Sequence, residues 1–397
     1  MDNEFYRISR LPPYVFAEVN RMKAEARNQG VDIIDFGMGN PDGAPPDYVI
    51  DKLIESVRDP KNHGYSASRG IKGLRKAFCG YYERRFGVHL DYDKDVIVTI
   101  GSKEGLASLA TAITKPGDVV MVPDPSYPIH TFGFIIAGAT VWSVPNEVNG
   151  IGLVDEIKKA YDQCSPKPVA LVVNFPGNPT AEVVNLEFYQ QLVDFCRQKG
   201  VYIISDLAYA ELYYDDNPPP SILQVEGAMD VAIEFSSISK TFSMAGWRIG
   251  FAAGNNKLIG ALRHIKSYTD YGAFTPIQVA ATAALNGSDE YIEQLRAVYK
   301  ERRDIMAKGL ADAGWEVTVP TASMFFWAKI PPQFQDMGSL EFSKQLLEQA
   351  HVAVAPGVGF GKNGEGYVRI ALVENKHRIR QACKNIKKFL QHEKVAV

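Results

Sequence analysis

The sequence predicts an α/β protein: a large domain with a mostly parallel, seven-stranded sheet covered by helices, and a smaller α+β domain. Three observations carry this. Seven short, β-branched runs recur between residues 95 and 254. Most of them are apolar at successive positions rather than alternate ones, the pattern of strands covered on both faces. Segments of helical period separate several of the runs, and strand–helix alternation of this kind builds parallel sheets.

In order, the runs are DVIVTI (95–100), DVVMVP (118–123), ATVWSVP (139–145), VALVVNF (169–175), VYIISD (201–206), VAIEFSS (231–237) and RIGFAAG (248–254). Before the fifth, EFYQQLVDFCRQKG (187–200) sets Phe188, Leu192, Phe195 and Cys196 at three- and four-residue steps, one face of a helix. The pattern breaks near Thr275-Pro276. Beyond it come a long helix at 289–314, the runs WEVTVP and FFWAKIP, a helix at 339–350, VAVAP, YVRIALV and a final helix at 376–391. The final helix is basic and lines up Ile379, Cys383, Ile386, Phe389 and Leu390. Such a stripe suits docking on the helix's own domain; a membrane or calmodulin-type surface is the other use of the pattern. Residues 11–30 read as a lone helix that packs with the C-terminal part. The expected division is an N-terminal segment (1–40) packing with the small domain, a large domain (41–280) and a small C-terminal domain (281–397).

Composition narrows the function classes. A length of 397 residues suits two or three domains, and 46% apolar with 22% charged residues suits a packed core. Forty-three basic against 46 acidic side chains give a net charge of −3, no surplus for nucleic acid or an anionic membrane. The best apolar run, Phe132 to Trp142, is 11 residues long and contains two glycines. A spanning helix needs about 18. The N-terminus MDNEFYRISR has no apolar h-region of a secretory signal. Cys79, Cys164, Cys196 and Cys383 form no Cys-x-x-Cys or Cys/His cluster, so neither a zinc site nor a disulfide framework is expected. The expectation is a soluble, cytoplasmic protein without a metal.

In an open α/β sheet, ligands bind outside the carboxyl ends of the strands. After the run at 95–100 comes Gly101-Ser102-Lys103-Glu104-Gly105, a turn feeding a helix whose N–H groups suit a phosphate. Alone, it reads equally as a structural turn. After 169–175, Pro176-Gly177-Asn178-Pro179-Thr180 presents an amide, or is a plain β-turn. Asp206 ends an apolar run, with Tyr209 three residues on; a buried acid needs a partner, unless this one caps a helix. After 231–237 stands Ser237-Ile238-Ser239-Lys240, in a loop of small and apolar residues that lowers an amine's pKa. Arg248 opens the next strand beside a glycine, where it and the two serines can converge on one phosphate. A surface lysine and a salt-bridged arginine would explain the last segment alone. Core packing does not explain all four strand ends together.

The chemistry that needs this set is that of pyridoxal 5'-phosphate. A lysine forms a Schiff base, an acid keeps the pyridine nitrogen protonated, a phenol and an amide tune the 3-oxygen, and a turn with an arginine anchors the phosphate. The segments GMGNPDGAPP, YSASRGIKGLR, GSKEGL, PDPSYP, NFPGNPT, DLAYAEL, SISKTFSMAGWRIGF and VRIAL follow in order. On these segments the chain resembles the fold-type I, class I/II aminotransferases nearly end to end, and SxSK followed by AGWRxG is the most specific part.

The resemblance implies Lys240 as the Schiff-base lysine, Asp206 as the partner of the pyridine nitrogen, and Tyr209 and Asn178 as ligands of the 3-oxygen. It places Ser102, Lys103, Ser237, Ser239 and Arg248 on the phosphate side, with Lys103 alternatively facing substrate. Tyr127 resembles the aromatic residue stacked on the cofactor ring. Tyr65 resembles the tyrosine that reaches the phosphate of a neighbouring subunit, implying a homodimer with shared sites. Arg369 matches the arginine that takes the substrate α-carboxylate in a bidentate fork. Gly39 matches the glycine that closes over substrate, and Tyr14 a substrate-side aromatic. Two positions depart from the pattern. Ala181 replaces the usual glycine after NPT, and Phe274 stands where aspartate aminotransferases place the arginine for a side-chain carboxylate.

LPPYVFAEV, GSKEGL, NPTAE, DLAYAEL and IKSYTDYGAFTPIQ most resemble bacterial glutamate–pyruvate (alanine) transaminases, with the LL-diaminopimelate aminotransferases as near relatives. The implied reaction is ping-pong transfer between glutamate/2-oxoglutarate and alanine/pyruvate. Alternatives are an LL-diaminopimelate, methionine or aromatic aminotransferase, or a lyase on the same scaffold. A non-catalytic regulator would need a DNA-binding module, and no helix-turn-helix or basic arm precedes the match.

Overall fold

The computed structural model describes residues 5–13, 15–146 and 152–392. Among them are twelve strands: β1 (Ile34–Asp35), β2 (Val96–Thr99), β3 (Val119–Asp124), β4 (Thr140–Pro145), β5 (Ala170–Asn174), β6 (Tyr202–Asp206), β7 (Ala232–Ser237), β8 (Gly250–Gly254), β9 (Phe325–Lys329), β10 (Val352–Ala353), β11 (Ala355–Pro356) and β12 (Tyr367–Ala371). The seven runs read from the sequence are β2 to β8. They form one sheet in the order β2-β8-β7-β6-β5-β3-β4. Strand β8 is antiparallel to both its neighbours, and every other pairing is parallel.

The lack of apolar alternation has a direct cause. In β5, Leu171 and Val173 enter the core that holds the helices Lys72–Phe86, Leu153–Gln163 and Leu186–Lys199. Ala170 and Val172 enter the opposite core, under Ser102–Ile113, Pro128–Ala137 and Asn256–Thr269. Side chains of a strand alternate between faces, so a sheet covered on both sides needs apolar residues at every position. The helix Thr275–Asn286, which opens where the sequence pattern breaks, packs on Asp47–Val57 and Lys72–Phe86.

A separate sheet, β11-β12-β9, is antiparallel. It shares a core with the helices Glu290–Asp312, Gly338–Ala350 and Lys376–His392. Ile379, Cys383, Ile386, Phe389 and Leu390 are all buried there, so the basic terminal helix docks on its own domain. The run at 315–320 forms no ladder, but Trp315 is buried and its indole N–H donates to Lys329 O at 2.7 Å. The N-terminal helix Val15–Asn28 packs on Gly338–Ala350, and β1 pairs in parallel with β10.

The parallel strands all end at one edge of the large sheet. Register pairs Gly250 with both Thr99 and Ser237, so antiparallel β8 begins at that same edge. The turns after Thr99, Asp124, Asn174, Asp206 and Ser237 are thereby gathered at a single rim.

Candidate active site

Lys240 lies in the one-turn helix Ile238–Thr241 that follows β7, with Ser237 as its N-cap. Its Nζ donates to the carbonyl of Gly39. Burial and the nearby charges of Arg369 and Arg248 lower the amine to about 8. A Cβ at residue 39 would stand 2.7 Å from the Phe325 ring, so only glycine lets that carbonyl approach.

Asp206 ends β6 and is 5% exposed. One carboxylate oxygen is 2.9 Å from His130 Nε2. The other, Oδ1, is buried and has no hydrogen-bond partner among the described residues. An unpartnered buried carboxylate oxygen is costly and marks a position made for an N–H donor. The side chain of Asn174 fixes two neighbouring turns, donating to Asp206 O at 2.7 Å and accepting from Asn178 N at 2.8 Å.

Asn178 then links two functional groups. Its Oδ1 accepts from Arg369 Nη1 at 2.7 Å, and its Nδ2 is 3.5 Å from the Tyr209 hydroxyl. Burial pushes the Tyr209 phenol well up, so it stays protonated at neutral pH. Arg369 is 6% exposed on β12, donates to Gly37 O at 2.9 Å, and lies over the rings of Phe325 (4.3 Å) and Phe360 (4.7 Å). Two buried aromatic faces hold the guanidinium plane in place.

At the other end of the site, Gly101 (φ 80°) caps the helix Ser102–Ile113. A Cβ on Gly101 would lie 2.2 Å from Arg248 Nη2, and one on Gly250 would lie 2.5 Å from Ser102 N. These glycines keep a guanidinium and open helix N–H groups side by side, an anion cradle. Ser237 Oγ donates to Ser239 Oγ at 2.8 Å beside it. One expectation needs correcting here. Arg248 does not open the strand; it stands two residues before β8 in left-handed conformation (φ 59°), and the main chain turns there before pairing begins.

Tyr127 is half-buried, with its ring 5.8 Å from His130 and edge-on to it. Lys103 is exposed, and its Nζ stands 5.7 Å from the Tyr127 ring centre. Two hydrogen-bonded segments close this side: Ser126 N donates to Phe360 O at 2.8 Å, and Asn363 N to Asp124 Oδ1 at 3.4 Å. Between them Gly361 (φ 131°) passes so close that a Cβ would lie 1.9 Å from Asp124 Oδ1.

One predicted residue stands apart. Tyr65 is 89% exposed, and its one ring contact among the described residues is Tyr271 at 4.5 Å. Tyr14 lies outside the described residues. Phe274 is exposed and packs on His63. The sequence reading missed His130, Asn174, Phe325 and Phe360. The place of His130 in the helix after Tyr127 gave no sign of its role. No group of three or more metal-ligating side chains, and no helix long and apolar enough to cross a membrane, occurs among the described residues.

The donor set fits pyridoxal phosphate. A low-pKa amine, an acid with an unpartnered buried oxygen, a phenol–amide pair and a glycine-lined anion cradle match its aldehyde, ring nitrogen, 3-oxygen and phosphate. Comparison with known proteins agrees. Residues 31–386 match the family Aminotransferase class I and II. AatC of Rhizobium meliloti (strain 1021) is 57% identical, over 98% of this chain and 95% of that protein. The glutamate-pyruvate aminotransferase AlaC of Escherichia coli (strain K12) is 52% identical, over 97% and 93%. The LL-diaminopimelate aminotransferase of Natranaerobius thermophilus is 43% identical, over 96% and 98%. Among solved structures, substrate-bound BacF of Bacillus subtilis superposes with a TM-score of 0.90 at 33% identity, covering 98% of both chains. With the strand-end residues in place and the match running through both sheets, this chain belongs to the class I and II aminotransferases, enzymes that use pyridoxal phosphate to exchange amino groups between amino acids and 2-oxo acids.

Proposed function

We propose that the enzyme exchanges amino groups between glutamate/2-oxoglutarate and alanine/pyruvate. The observation that carries this is the exposed lysine beside Tyr127, Lys103, whose Nζ stands 5.7 Å from the ring centre. Such an enzyme must accept a dicarboxylic and a small apolar side chain in one pocket. A fixed, buried arginine left unpaired when alanine binds would cost about 1–3 kcal/mol. Lys103 avoids that cost, because an exposed lysine can return its ammonium to water. Phe274 in place of a clamp arginine and the 52% identity to AlaC support the same reading.

When bound, the cofactor supplies an electron sink that makes the substrate α-proton removable. The rest falls to the chain's own groups. Arg369 takes the α-carboxylate in a two-pronged grip and orients the substrate. Lys240, as a neutral amine, is placed to take the α-proton and would return it to the cofactor's aldehyde carbon, two bonds from the substrate α-carbon. Asp206, held by His130, would face the ring nitrogen and hold its proton. Tyr209 and Asn178 would hold the 3-oxygen, Ser102, Ser237, Ser239 and Arg248 would hold the phosphate, and Tyr127 would lie against the ring. Gly39 closes over the substrate through the segment that meets Lys240. Tyr65, exposed beside Tyr271, reaches the phosphate of a second copy, so the working unit is a homodimer. Four free cysteines, three of them buried, suit a cytoplasmic setting.

The test is a half-reaction screen, adding single amino acids to the cofactor-bound enzyme and following its visible absorbance. Glutamate and alanine should both react fast. Lys103→Met should weaken glutamate and 2-oxoglutarate by about tenfold, the equivalent of one lost charge-assisted hydrogen bond, and spare alanine and pyruvate. Equal losses for all four would assign Lys103 to the cofactor. Inert alanine would overturn the substrate pair.

A further inference from the structure

Lys266 is the one fully buried lysine among the described residues, at 0% exposure in the helix Asn256–Thr269. Burying an ammonium is expensive unless all its protons are taken. Here they are. Nζ donates to Glu104 Oε1 (3.1 Å), Glu104 Oε2 (3.0 Å) and Asp270 Oδ2 (2.7 Å), three donors for three acceptors.

What these carboxylates do next gives the cluster its meaning. Glu104 is the third residue of the helix that Gly101 caps, and its Oε2 accepts from Ile100 N at 2.9 Å. Its Oε1 accepts from Ser108 Oγ at 2.7 Å. One carboxylate thus spans the anion-cradle turn from the residue before it to the helix after it. Asp270 Oδ1 accepts from Gly272 N at 2.7 Å, and Gly272 (φ 77°) lies so close to Ala67 that a Cβ would stand 2.4 Å from that carbonyl. A single ammonium therefore ties the turn at 100–105 to the one at 270–272. A site that reads phosphate by backbone N–H groups needs such support, since those groups bind only where the main chain places them.

We infer that Lys266 is a positioning residue for the phosphate end of the cofactor, holding the Gly101–Ser102 turn in place through Glu104. The inference rests on the reading that this turn and Arg248 take the phosphate. A lysine that served only the fold would affect every ligand of the site alike.

Phosphate dependence separates the two. Apo-protein is titrated with pyridoxal 5'-phosphate and with pyridoxal, which lacks the phosphate, and binding is followed by absorbance. Lys266→Met should raise the Kd for pyridoxal 5'-phosphate by about ten- to hundredfold and that for pyridoxal by less than about threefold. Lys266→Arg should recover part of the preference. Equal losses for both ligands would overturn the inference. If Lys266→Met does not fold, Glu104→Gln carries the test, because the amide keeps the shape and the Ile100 bond but not the ion pair. It should show the same selective loss, and an unchanged preference there also overturns the inference. Arg248→Gln tells the two failures apart. If it too keeps the preference, the phosphate reading itself is wrong; if it alone loses it, only the role of Lys266 is.

Discussion

Lys240→Ala lowers turnover by at least about a thousandfold, the loss expected when a positioned proton-transfer group is removed. The amine at about 8 is the reason it is suited to the task. At pH 7 about one such amine in ten is neutral, against about one in three thousand for an unperturbed lysine. Burial and two guanidinium charges thus raise the reactive fraction several hundredfold before any chemistry begins. The sign follows: capture of the aldehyde by the apo-protein speeds up as pH rises toward 8 and levels off above it. Borohydride treatment of the wild-type enzyme, followed by peptide mapping, checks the assignment. The label belongs on Lys240. Lys266 has every donor occupied by Glu104 and Asp270, and a label there or on Lys103 would remove Lys240 from the mechanism.

Asp206→Asn leaves the fold intact and slows exchange of the substrate α-proton with solvent deuterium by about a hundred- to a thousandfold. The amide matches the carboxylate in shape and can keep the contact with His130. It carries no charge to hold a proton on the ring nitrogen, so the electron sink weakens. Thermal unfolding of the apo-variant should stay near wild type, because the amide keeps the shape and the His130 contact while it removes a buried charge. Exchange at the wild-type rate would separate Asp206 from the ring nitrogen.

Much of this was legible in the sequence, for physical reasons that can be named. The strands of the large sheet announce themselves because both faces are covered, and Leu171 and Val172 point to different cores yet are both apolar. Lys240, Asp206, Asn178 and the Gly101 turn were legible because each ends a strand or lies within a few residues after one, and strand ends converge. Arg369 comes from the other sheet and reaches Asn178 across 191 positions of sequence. Only resemblance pointed to it. His130 was hidden because a histidine in an apolar helix looks like any core histidine until Asp206 is seen 2.9 Å away. Phe325 and Phe360 were hidden for the opposite reason: buried aromatics are common, and what sets these apart is the guanidinium lying on them. The backbone of Arg248 was misread because a left-handed arginine leaves no trace in hydrophobic periodicity.

Gly361 has an implication for how the enzyme can change over generations. The segment bearing Tyr127 and the segment bearing Phe360 run close together there, and the glycine's φ of 131° is one that side chains rarely adopt. Every substitution there adds a carbon where Asp124 Oδ1 already stands. Randomising codon 361 and selecting for growth that depends on the enzyme should return glycine almost alone, while Lys103 tolerates many residues under selection on alanine. A lineage exploring new substrates is therefore free to vary the exposed side of Tyr127, but must carry the glycine at 361 unchanged. Recovery of bulky residues at 361 with full growth would show that these two segments are free to part.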